Sequence, residues 1–387
     1  MNNRWVIRIK NLFLPFFCFW YCTEILLNST IVELDTLPLR DIDSVCSLLI
    51  LFFMLIQVIF FQTYSLNNGI MIGIISMFII ISALNSSNNS MLSTWIFILA
   101  SQKTDIDTII SRAYKILATM IVLVVVMNLL GMIPDADVIR LGRIRHSLGF
   151  SHPNQLGLSI CQLVSCHFYL YRDNLRYRDF LFAIVAAVFV YIVPNSQTSF
   201  IIVILLLITS LIYQYFGKSK ADHFKLIGWL MISFAILFNV ISVVFSTGPI
   251  KNTLLSEINA YLSYRFSWCY KTYSIYGVNW FGNDIAVTLA ERTSRNLLNL
   301  GNMWLDNAYM TILLRYGILV YVIFSFLYIF TMIYLLNLKE YYLLILFFIF
   351  SVYGIMENGF FQISHNIVLF AVAYFLYHKK FVIEQCE

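Results

Sequence analysis

The chain has 387 residues, of which 60% are hydrophobic and only 12% charged, with a formal net charge of +5 and a mean hydropathy of +0.80. Soluble globular domains contain roughly 45–50% apolar and about 25% charged residues, and disordered or nucleic-acid-binding chains are poorer still in apolar residues. These classes are therefore excluded. The composition indicates a helical protein that crosses a membrane many times and has no nucleic-acid partner.

Twelve apolar runs follow one another and form a single predicted membrane domain over residues 1–387. A spanning helix needs about 20 apolar residues, and the runs are continuous rather than alternating, which argues against a β-barrel. The run at 90–101 is short enough to be re-entrant, so we predict an all-α fold with about 12 (10–12) transmembrane helices. The runs lie at about 11–27, 44–64, 69–84, 90–101, 116–133, 155–170, 180–194, 199–216, 226–245, 317–336, 341–356 and 366–378.

Lys and Arg in short loops indicate the side of the membrane, because they favour the cytoplasm. With the N-terminus inside, the cytoplasmic loops hold Arg4, Arg8, Lys10, Lys103, Arg112, Lys115, Arg172, Arg176, Arg178, Lys218, Lys220, Lys225, Lys339, Lys379 and Lys380. The outer short loops hold only Arg40, Arg140, Arg143 and Arg145. We therefore expect both termini to be cytoplasmic and the first apolar run to be a retained signal anchor.

The one long polar segment, residues 246–303, is then a large extracytoplasmic loop. Loops of this length are usually functional or disordered. This one contains Trp268, Trp280 and several Tyr, which makes it too aromatic for a solvated linker. We expect short amphipathic helices that fold over the outer mouth of the bundle.

The sequence contains no Walker loop, GxGxxG, HExxH or CxxC motif. We therefore expect no metal site and no cofactor. The cysteines fall mostly inside apolar runs, where they are interpreted as small buried hydrophobic residues rather than as a disulfide framework.

A first group of candidate site residues precedes the sixth apolar run: Arg140, Arg143, Arg145, His146, His152, Pro153 and Asn154. Its three arginines oppose the charge bias of the other loops, which a negatively charged ligand would explain. Pro153 suits the first turn of the next helix, whose N-terminus would add free N–H groups and a positive dipole end. The group predicts a phosphate site. Alternatively, the arginines reach lipid phosphates, and the two histidines are polar loop residues or caps.

A second group lies in the long loop: Arg265, Trp268, Lys271, Gly277, Gly282, Asp284, Glu291, Arg292 and Arg295. Aromatic faces pack on sugar rings and Arg pairs with phosphate or carboxylate, so the pattern suits a charged glycan. The alternative for its last three charged residues is an amphipathic helix that lies on the membrane.

Two further groups flank the last spans. Asp306, Asn307, Tyr309, Arg315 and Gly317 precede the tenth run, and Glu357, Asn358, Gln362 and His365 precede the last one. Asp306 is predicted at a helix start, either as an N-cap or as a general base for a sugar hydroxyl. The Glu357 group is interpreted as glycan-binding or as plain interface residues.

Three stretches together resemble Wzy-type O-antigen and capsular polysaccharide polymerases and the related O-antigen ligases. The first is Arg145-His-Ser-Leu-Gly-Phe-Ser-His152-Pro153-Asn154-Gln-Leu-Gly157; the second is Tyr264-Arg265-Phe-Ser-Trp268 with Trp280-Phe281-Gly282. The third is Asp306-Asn307-Ala-Tyr309 followed by Arg315-Tyr316-Gly317-Ile318. In ligases the first residue of this last element is usually His, whereas the polymerase-like form has Asp.

The resemblance implies a metal-independent glycosyltransferase with a GT-C-like helical membrane fold in the bacterial plasma membrane. Such an enzyme moves a growing glycan from undecaprenyl pyrophosphate onto the next lipid-linked repeat unit at the outer face, and a chain-length regulator is a possible partner. By this resemblance Arg143, Arg145 and Arg265 would bind the pyrophosphate, and Asp306 or His152 would activate the acceptor. Weaker glycan contacts would come from Trp268, Asn154, Asn307, Arg315, Glu357 and His365.

Two alternatives remain open. The first is a ligase that transfers the glycan to another acceptor, against which Asp306 argues mildly. The second is a flippase for lipid-linked oligosaccharides or another transporter. Transporters place ionisable residues at mid-membrane depth and often show internal repeats, whereas these apolar runs carry almost no charge and no repeat is visible.

Overall fold

The computed structural model describes residues 12–28, 30, 39–140, 142–217, 221–250, 252–286 and 304–377. These residues are mostly helical, and a helix overlaps each of the twelve predicted apolar runs. The α-helices are α1 Phe13–Thr23, α2 Leu39–Phe60, α3 Leu66–Ser86, α4 Ser90–Ala100, α5 Ile106–Leu129, α6 Pro153–Leu170, α7 Tyr177–Ile192, α8 Gln197–Ile212, α9 Ala221–Ser246, α10 Thr253–Tyr261, α11 Arg265–Tyr276, α12 Ala308–Thr311, α13 Gly317–Asn337, α14 Tyr341–Met356 and α15 Val372–Leu376.

Several of these helices are extended by turns of another kind. π-helical turns follow α1, α8 and α12 at Glu24–Asn28, Tyr213–Gly217 and Ile312–Tyr316. The turn at Ile312–Tyr316 joins α12 to α13 in one apolar stretch. Short 3₁₀ helices occur at Ser101–Lys103, Asn358–Phe361 and Ile367–Ala371.

Five helices of the described residues are long and apolar enough to cross a membrane. They are Leu66–Ser86, Ile106–Leu129, Gln197–Tyr215, Phe224–Ser246 and Ala308–Asn337. These helices confirm the predicted class, a mostly helical protein with apolar helices long enough to cross a membrane. The short run at 90–101 forms an 11-residue helix, which at 1.5 Å per residue is only about 16 Å long. Because a hydrocarbon core is about 30 Å thick, α4 by itself is too short to cross it.

Burial separates helices at the centre of the bundle from helices at its periphery. Most side chains of α14 are buried, on every face, as expected of a helix enclosed by others. It packs against α6, α8, α9, α12 and α13. By contrast, α2 exposes Leu48, Phe52 and Ile59, with Ile59 66% exposed. Exposed apolar area of this kind suits contact with lipid.

One element departs from the predicted all-α fold. Residues Val138–Arg140 (β1) and Arg143–Arg145 (β2) form an antiparallel hairpin between α5 and α6. Gly142 in its turn has a φ of +72°, a conformation that glycine adopts without a steric penalty. The strands are three residues each, too short for a sequence pattern of period two to reveal them.

Polar contacts mark the two ends of the bundle. At one end, Arg172 at the end of α6 pairs with Asp107 at the start of α5 at 3.2 Å, and Gln62 bonds the carbonyl of Ala100. At the other end lie the hairpin, the start of α6 and the end of α14. We call this second end the site end, because the candidate residues meet there.

Candidate functional site

Four candidate residues meet at the site end through one chain of side-chain contacts. The guanidinium of Arg265 donates from Nη2 to Oε1 of Glu357 at 2.9 Å, and Nδ2 of Asn154 donates to the same oxygen at 3.2 Å. Oδ1 of Asn154 in turn accepts from Nη2 of Arg145. The structure therefore brings together residues of the hairpin, α6, α11 and the end of α14.

The turn between α7 and α8 holds Arg145 in place through two hydrogen bonds. Nε of Arg145 donates to the carbonyl of Pro194 at 2.9 Å, in this turn. The backbone N–H of His146 donates to the carbonyl of Val193 in the same turn. Arg145 is only 3% exposed, although it belongs to a short polar loop. This arginine therefore does not simply extend into the lipid headgroups.

Asp135 fixes the base of the hairpin. Its Oδ1 accepts from the backbone N–H of Ser147 at 2.8 Å, from the Ser147 hydroxyl and from the N–H of Leu148. Burial alone would raise the pKa of Asp135, but these hydrogen bonds lower it overall. We did not identify Asp135 in the sequence, because two acidic residues after Pro134 are typical of an ordinary turn.

His152 is the N-cap of α6, which is one of the two roles considered for it. Its Nδ1 accepts from the backbone N–H of Asn154 at 3.1 Å, and Pro153 occupies the first helical position as predicted. A neutral His152 therefore carries its proton on Nε2. Burial and the nearby charge of Arg145 lower the pKa of His152, which keeps the ring neutral.

Asn259 positions Arg265, which is the first residue of α11. Oδ1 of Asn259 accepts from the N–H of Phe266 at 3.1 Å, and Nδ2 of Asn259 donates to Oγ of Ser267 at 2.7 Å. The preceding Tyr264 has a φ of +61°, an unusual conformation for a bulky residue. A lone Asn in an amphipathic segment gave no sequence signal for this role.

Glu357 follows directly after α14 and lies at the centre of the cluster. Its side chain is 15% exposed and that of Arg265 is 10% exposed, so the ion pair is largely shielded from solvent. Burial raises the pKa of Glu357; Arg265 opposes this shift, and Asp306 adds to it. The nearby side chain of Thr198 at the start of α8 also lowers the pKa of this carboxylate.

Asp306 does not cap the helix that follows it, contrary to one of its two predicted roles. Asn307 is the N-cap of α12: its Oδ1 accepts from the N–H of Met310 at 3.1 Å, and its Nδ2 donates to the carbonyl of Ile355. The carboxylate of Asp306 forms no hydrogen bond within the described part of the chain. Burial raises the pKa of Asp306 and the charge of Arg265 opposes that shift.

Two of the stretches that carry the family resemblance contact each other. The N–H of Ile318 donates to the carbonyl of Asn279 at 3.0 Å, and the N–H of Asn283 donates to that of Arg315 at 3.1 Å. Gly282 has a φ of +87°, and a Cβ there would lie 2.0 Å from the Arg315 carbonyl oxygen. The loop can approach the start of α13 only because residue 282 is glycine.

The other predicted residues remain outside the contact chain. Arg143 is exposed on β2, and Trp268 is half-buried with Nζ of Lys271 5.7 Å from its ring centroid. Arg315 donates from Nη2 to the carbonyl of Ile285 and so holds the loop backbone. Burial lowers the pKa of His365 to about 4, and its ring packs against Gly359. The predicted residues Glu291, Arg292 and Arg295 lie outside the described residues.

One group within the described residues has the composition of a metal site, which we did not predict. Asp135, Asp137 and His146 offer ligand atoms that all lie within 4.8 Å of one another. His146 Nδ1 lies 2.9 Å from an oxygen of Asp137 and 3.4 Å from one of Asp135. The contacts among these three exposed or half-buried side chains account for their arrangement without a ligand.

A scan against protein-family models and searches of curated proteins and of solved structures found no match to this chain. A functional assignment therefore depends on the residues of the chain and on their contacts at the site end.

Proposed function

We propose that the chain is a polysaccharide polymerase of the bacterial plasma membrane. It transfers a growing glycan from undecaprenyl pyrophosphate to the next lipid-linked repeat unit. The observation that carries this proposal is the convergence of Arg145 and Arg265. They come from distant parts of the sequence, are both shielded from solvent, and are joined through Asn154 and Glu357.

Two guanidinium groups that are linked through one amide and one carboxylate suit a pyrophosphate. Charge-assisted hydrogen bonds from Arg to phosphate oxygens are among the strongest in proteins, and they strengthen as the leaving group gains charge. The start of α6 adds N–H groups and the positive end of its helix dipole beside Arg145. These groups supply the positive charge, so we propose a metal-independent reaction.

The acceptor must lose a proton as the new bond forms. Its hydroxyl oxygen bonds the anomeric carbon of the donor sugar, the bond from that carbon to the pyrophosphate oxygen breaks, and the pyrophosphate leaves with the electron pair. Asp306 accepts the hydroxyl proton in this proposal, because its carboxylate is not engaged by the described residues. His152 is the alternative base, but its Nδ1 already caps α6.

The proposed placement in the membrane is supported by charge. Lys103, Arg172, Arg176 and Lys339 lie at the end of the bundle opposite the site, which is the cytoplasmic end by the positive-inside tendency. The site end then faces outward, with twelve membrane-embedded helical segments in a GT-C-like arrangement and both termini inside. A site at the outer surface suits a donor whose lipid tail remains in the bilayer. A chain-length regulator is a proposed partner.

Transport is less well supported than catalysis. A transporter for a pyrophosphate-linked lipid needs polar groups along a path through the bundle. Within the described residues, the two shielded arginines and their carboxylate partner instead cluster at one end.

Polymer formation by the purified full-length chain tests the proposal. The protein is placed in lipid nanodiscs and supplied with lipid-linked repeat units, extracted from a strain of the source bacterium that lacks this gene. The wild type is expected to convert single repeats into a ladder of longer glycans. Failure to lengthen these glycans, with intact protein and substrate, overturns the proposal.

Replacing the arginines by lysine tests their role in this reaction. A lysine ammonium cannot reproduce the planar fork of a guanidinium, so Arg145→Lys and Arg265→Lys should each sharply reduce the ladder. Arg172→Lys at the opposite end is the matched control, because Arg172 also makes two hydrogen bonds to protein groups. If both site variants polymerise as well as the control, the two arginines do not bind the pyrophosphate.

A further inference from the structure

Glu357 occupies a special position in the contact chain at the site end. A single oxygen, Oε1, accepts from Arg265 and from Asn154, which lie 92 and 203 residues away in sequence. Asn154 also accepts from Arg145. The two arginines therefore have no direct contact in this chain of hydrogen bonds, and the carboxylate and the amide between them set their separation.

Charge gives a second reason why the arrangement depends on Glu357. Two guanidinium groups that are shielded from water repel each other, and an anion between them offsets that repulsion. An unpaired charge in such surroundings is costly. Without the carboxylate, Arg265 would lose its shielded partner, and Asn154 would lose the acceptor that fixes its amide orientation.

The hydrogen bonds of Glu357 also separate its role from that of Asp306. Its Oε1 is occupied by two donors, whereas Asp306 has no hydrogen-bond partner within the described residues. A carboxylate bonded in this way is poorly placed to accept a proton from a substrate or to contact a sugar.

We propose that Glu357 is a positioning residue that holds Arg265 directly, and Arg145 through Asn154, at the spacing that binds a pyrophosphate. This assigns it a role other than the glycan contact predicted from the sequence. The inference rests on the proposed function, because that function supplies the pyrophosphate ligand.

Binding of undecaprenyl pyrophosphate to the full-length protein in nanodiscs tests the inference. We expect Glu357→Gln to weaken binding at least about tenfold, because a neutral amide cannot pair with Arg265 as the carboxylate does. Arg265→Gln should weaken binding as well. If Glu357 acts mainly through Arg265, the double variant should be no more than about twofold weaker than Arg265→Gln alone, since coupled positions are not additive.

Asp107→Asn is the matched control, because it removes the carboxylate of the Arg172 ion pair at the opposite end. It should leave the Kd unchanged. An unchanged Kd for Glu357→Gln, while Arg265→Gln weakens binding, overturns the inference and leaves the proposed function standing. If the effects of Glu357→Gln and Arg265→Gln on the Kd multiply fully in the double variant, Glu357 does not act through Arg265, which overturns the inference as well. A wild type that does not bind the lipid pyrophosphate contradicts the proposed function itself.

A second variant keeps the test valid if Glu357→Gln does not fold. Asn154→Ala breaks the connection between Glu357 and Arg145 and changes no charge. It should weaken binding of the same probe by several-fold, and its melting temperature reports whether the fold persists. A folded Asn154→Ala protein with the wild-type Kd overturns the inference.

Discussion

Asp306 and Glu357 are both carboxylates at the site end, but their surroundings give them different roles. Glu357 accepts hydrogen bonds from Arg265 and Asn154, whereas Asp306 has no hydrogen-bond partner within the described residues. Asn307 provides the cap of α12, so Asp306 is not needed to begin that helix. Of these two carboxylates, Asp306 is therefore the one proposed to accept a proton.

We expect Asp306→Asn to give a stable protein that binds the lipid-linked substrate and forms little polymer. Loss of a general base typically lowers the rate by about 10²–10⁴. Turnover of lipid-linked repeat units and the melting temperature measure the two effects. Asn307→Ala is the control for stability, since loss of a cap costs about 0.5–2 kcal/mol of unfolding free energy. Near-normal turnover by Asp306→Asn would move the role of base to His152.

The pH dependence of kcat/KM gives a second expectation for Asp306. A base works in its deprotonated form, so the rate rises with pH through its pKa. Because burial raises the pKa of Asp306 above its ordinary value of 3.8, the acid limb should lie at higher pH than for an exposed aspartate. The charge of Arg265 lowers that pKa, so residual activity of Arg265→Gln should show an acid limb at still higher pH. A limb that does not move in this variant contradicts the assignment.

At the scale of elements, the close approach of α6 and α8 positions the site. The start of α6 carries His152 and Asn154, and the start of α8 carries Thr198, whose side chain lowers the pKa of Glu357. Gly157 lies at the contact, where a Cβ would be 2.8 Å from Cβ of Ser196 and 2.8 Å from Oγ of Ser199. Small residues at helix contacts in membranes allow such approach.

We expect Gly157→Ala to force the two helices apart and to destabilise the protein by about 1–3 kcal/mol. The melting temperature of the detergent-solubilised protein measures this effect. Gly73→Ala in α3 is the matched control, because no atom lies within 4 Å of a Cβ at that position. That variant should be neutral or slightly stabilising, since alanine favours a helix over glycine. Equal melting temperatures for the two variants would show that α6 and α8 tolerate a wider separation.

At the scale of the whole molecule, charge differs between the two ends of the bundle. The site end holds two arginines that are bonded to protein groups and shielded from solvent, Arg145 and Arg265. The opposite end holds cations such as Arg176 and Arg178, which are exposed. The positive-inside tendency depends on basic residues of short loops, so the exposed cations determine the proposed orientation.

This orientation is tested by labelling single cysteines with a membrane-impermeant maleimide in intact cells. We expect Ser256→Cys on α10 to be labelled from outside and Asn174→Cys, between α6 and α7, to be labelled only after the cells are opened. Both side chains are exposed at opposite ends of the bundle. The reverse pattern would invert the molecule and place the site in the cytoplasm.

The sequence by itself determined where the helices lie. Long apolar runs are local signals, and each predicted run is helical in the structure. The first turn of α6 was also predictable, because Pro153 is suited to that position by its own geometry. Arg145, Arg265 and Asp306 could be nominated because charged residues make up only 12% of this chain and stand out beside apolar runs.

Tertiary structure alone decided how these residues are joined. The sequence predicted Glu357 as a glycan contact or an interface residue, and its contact with Asn154 spans 203 residues of sequence. Asn307 rather than Asp306 caps α12, because the folded chain places the Asn307 side chain beside the free N–H of Met310. Hydrogen bonds between distant segments depend on how the helices pack, and no local pattern of residue types encodes the distance between two helix ends.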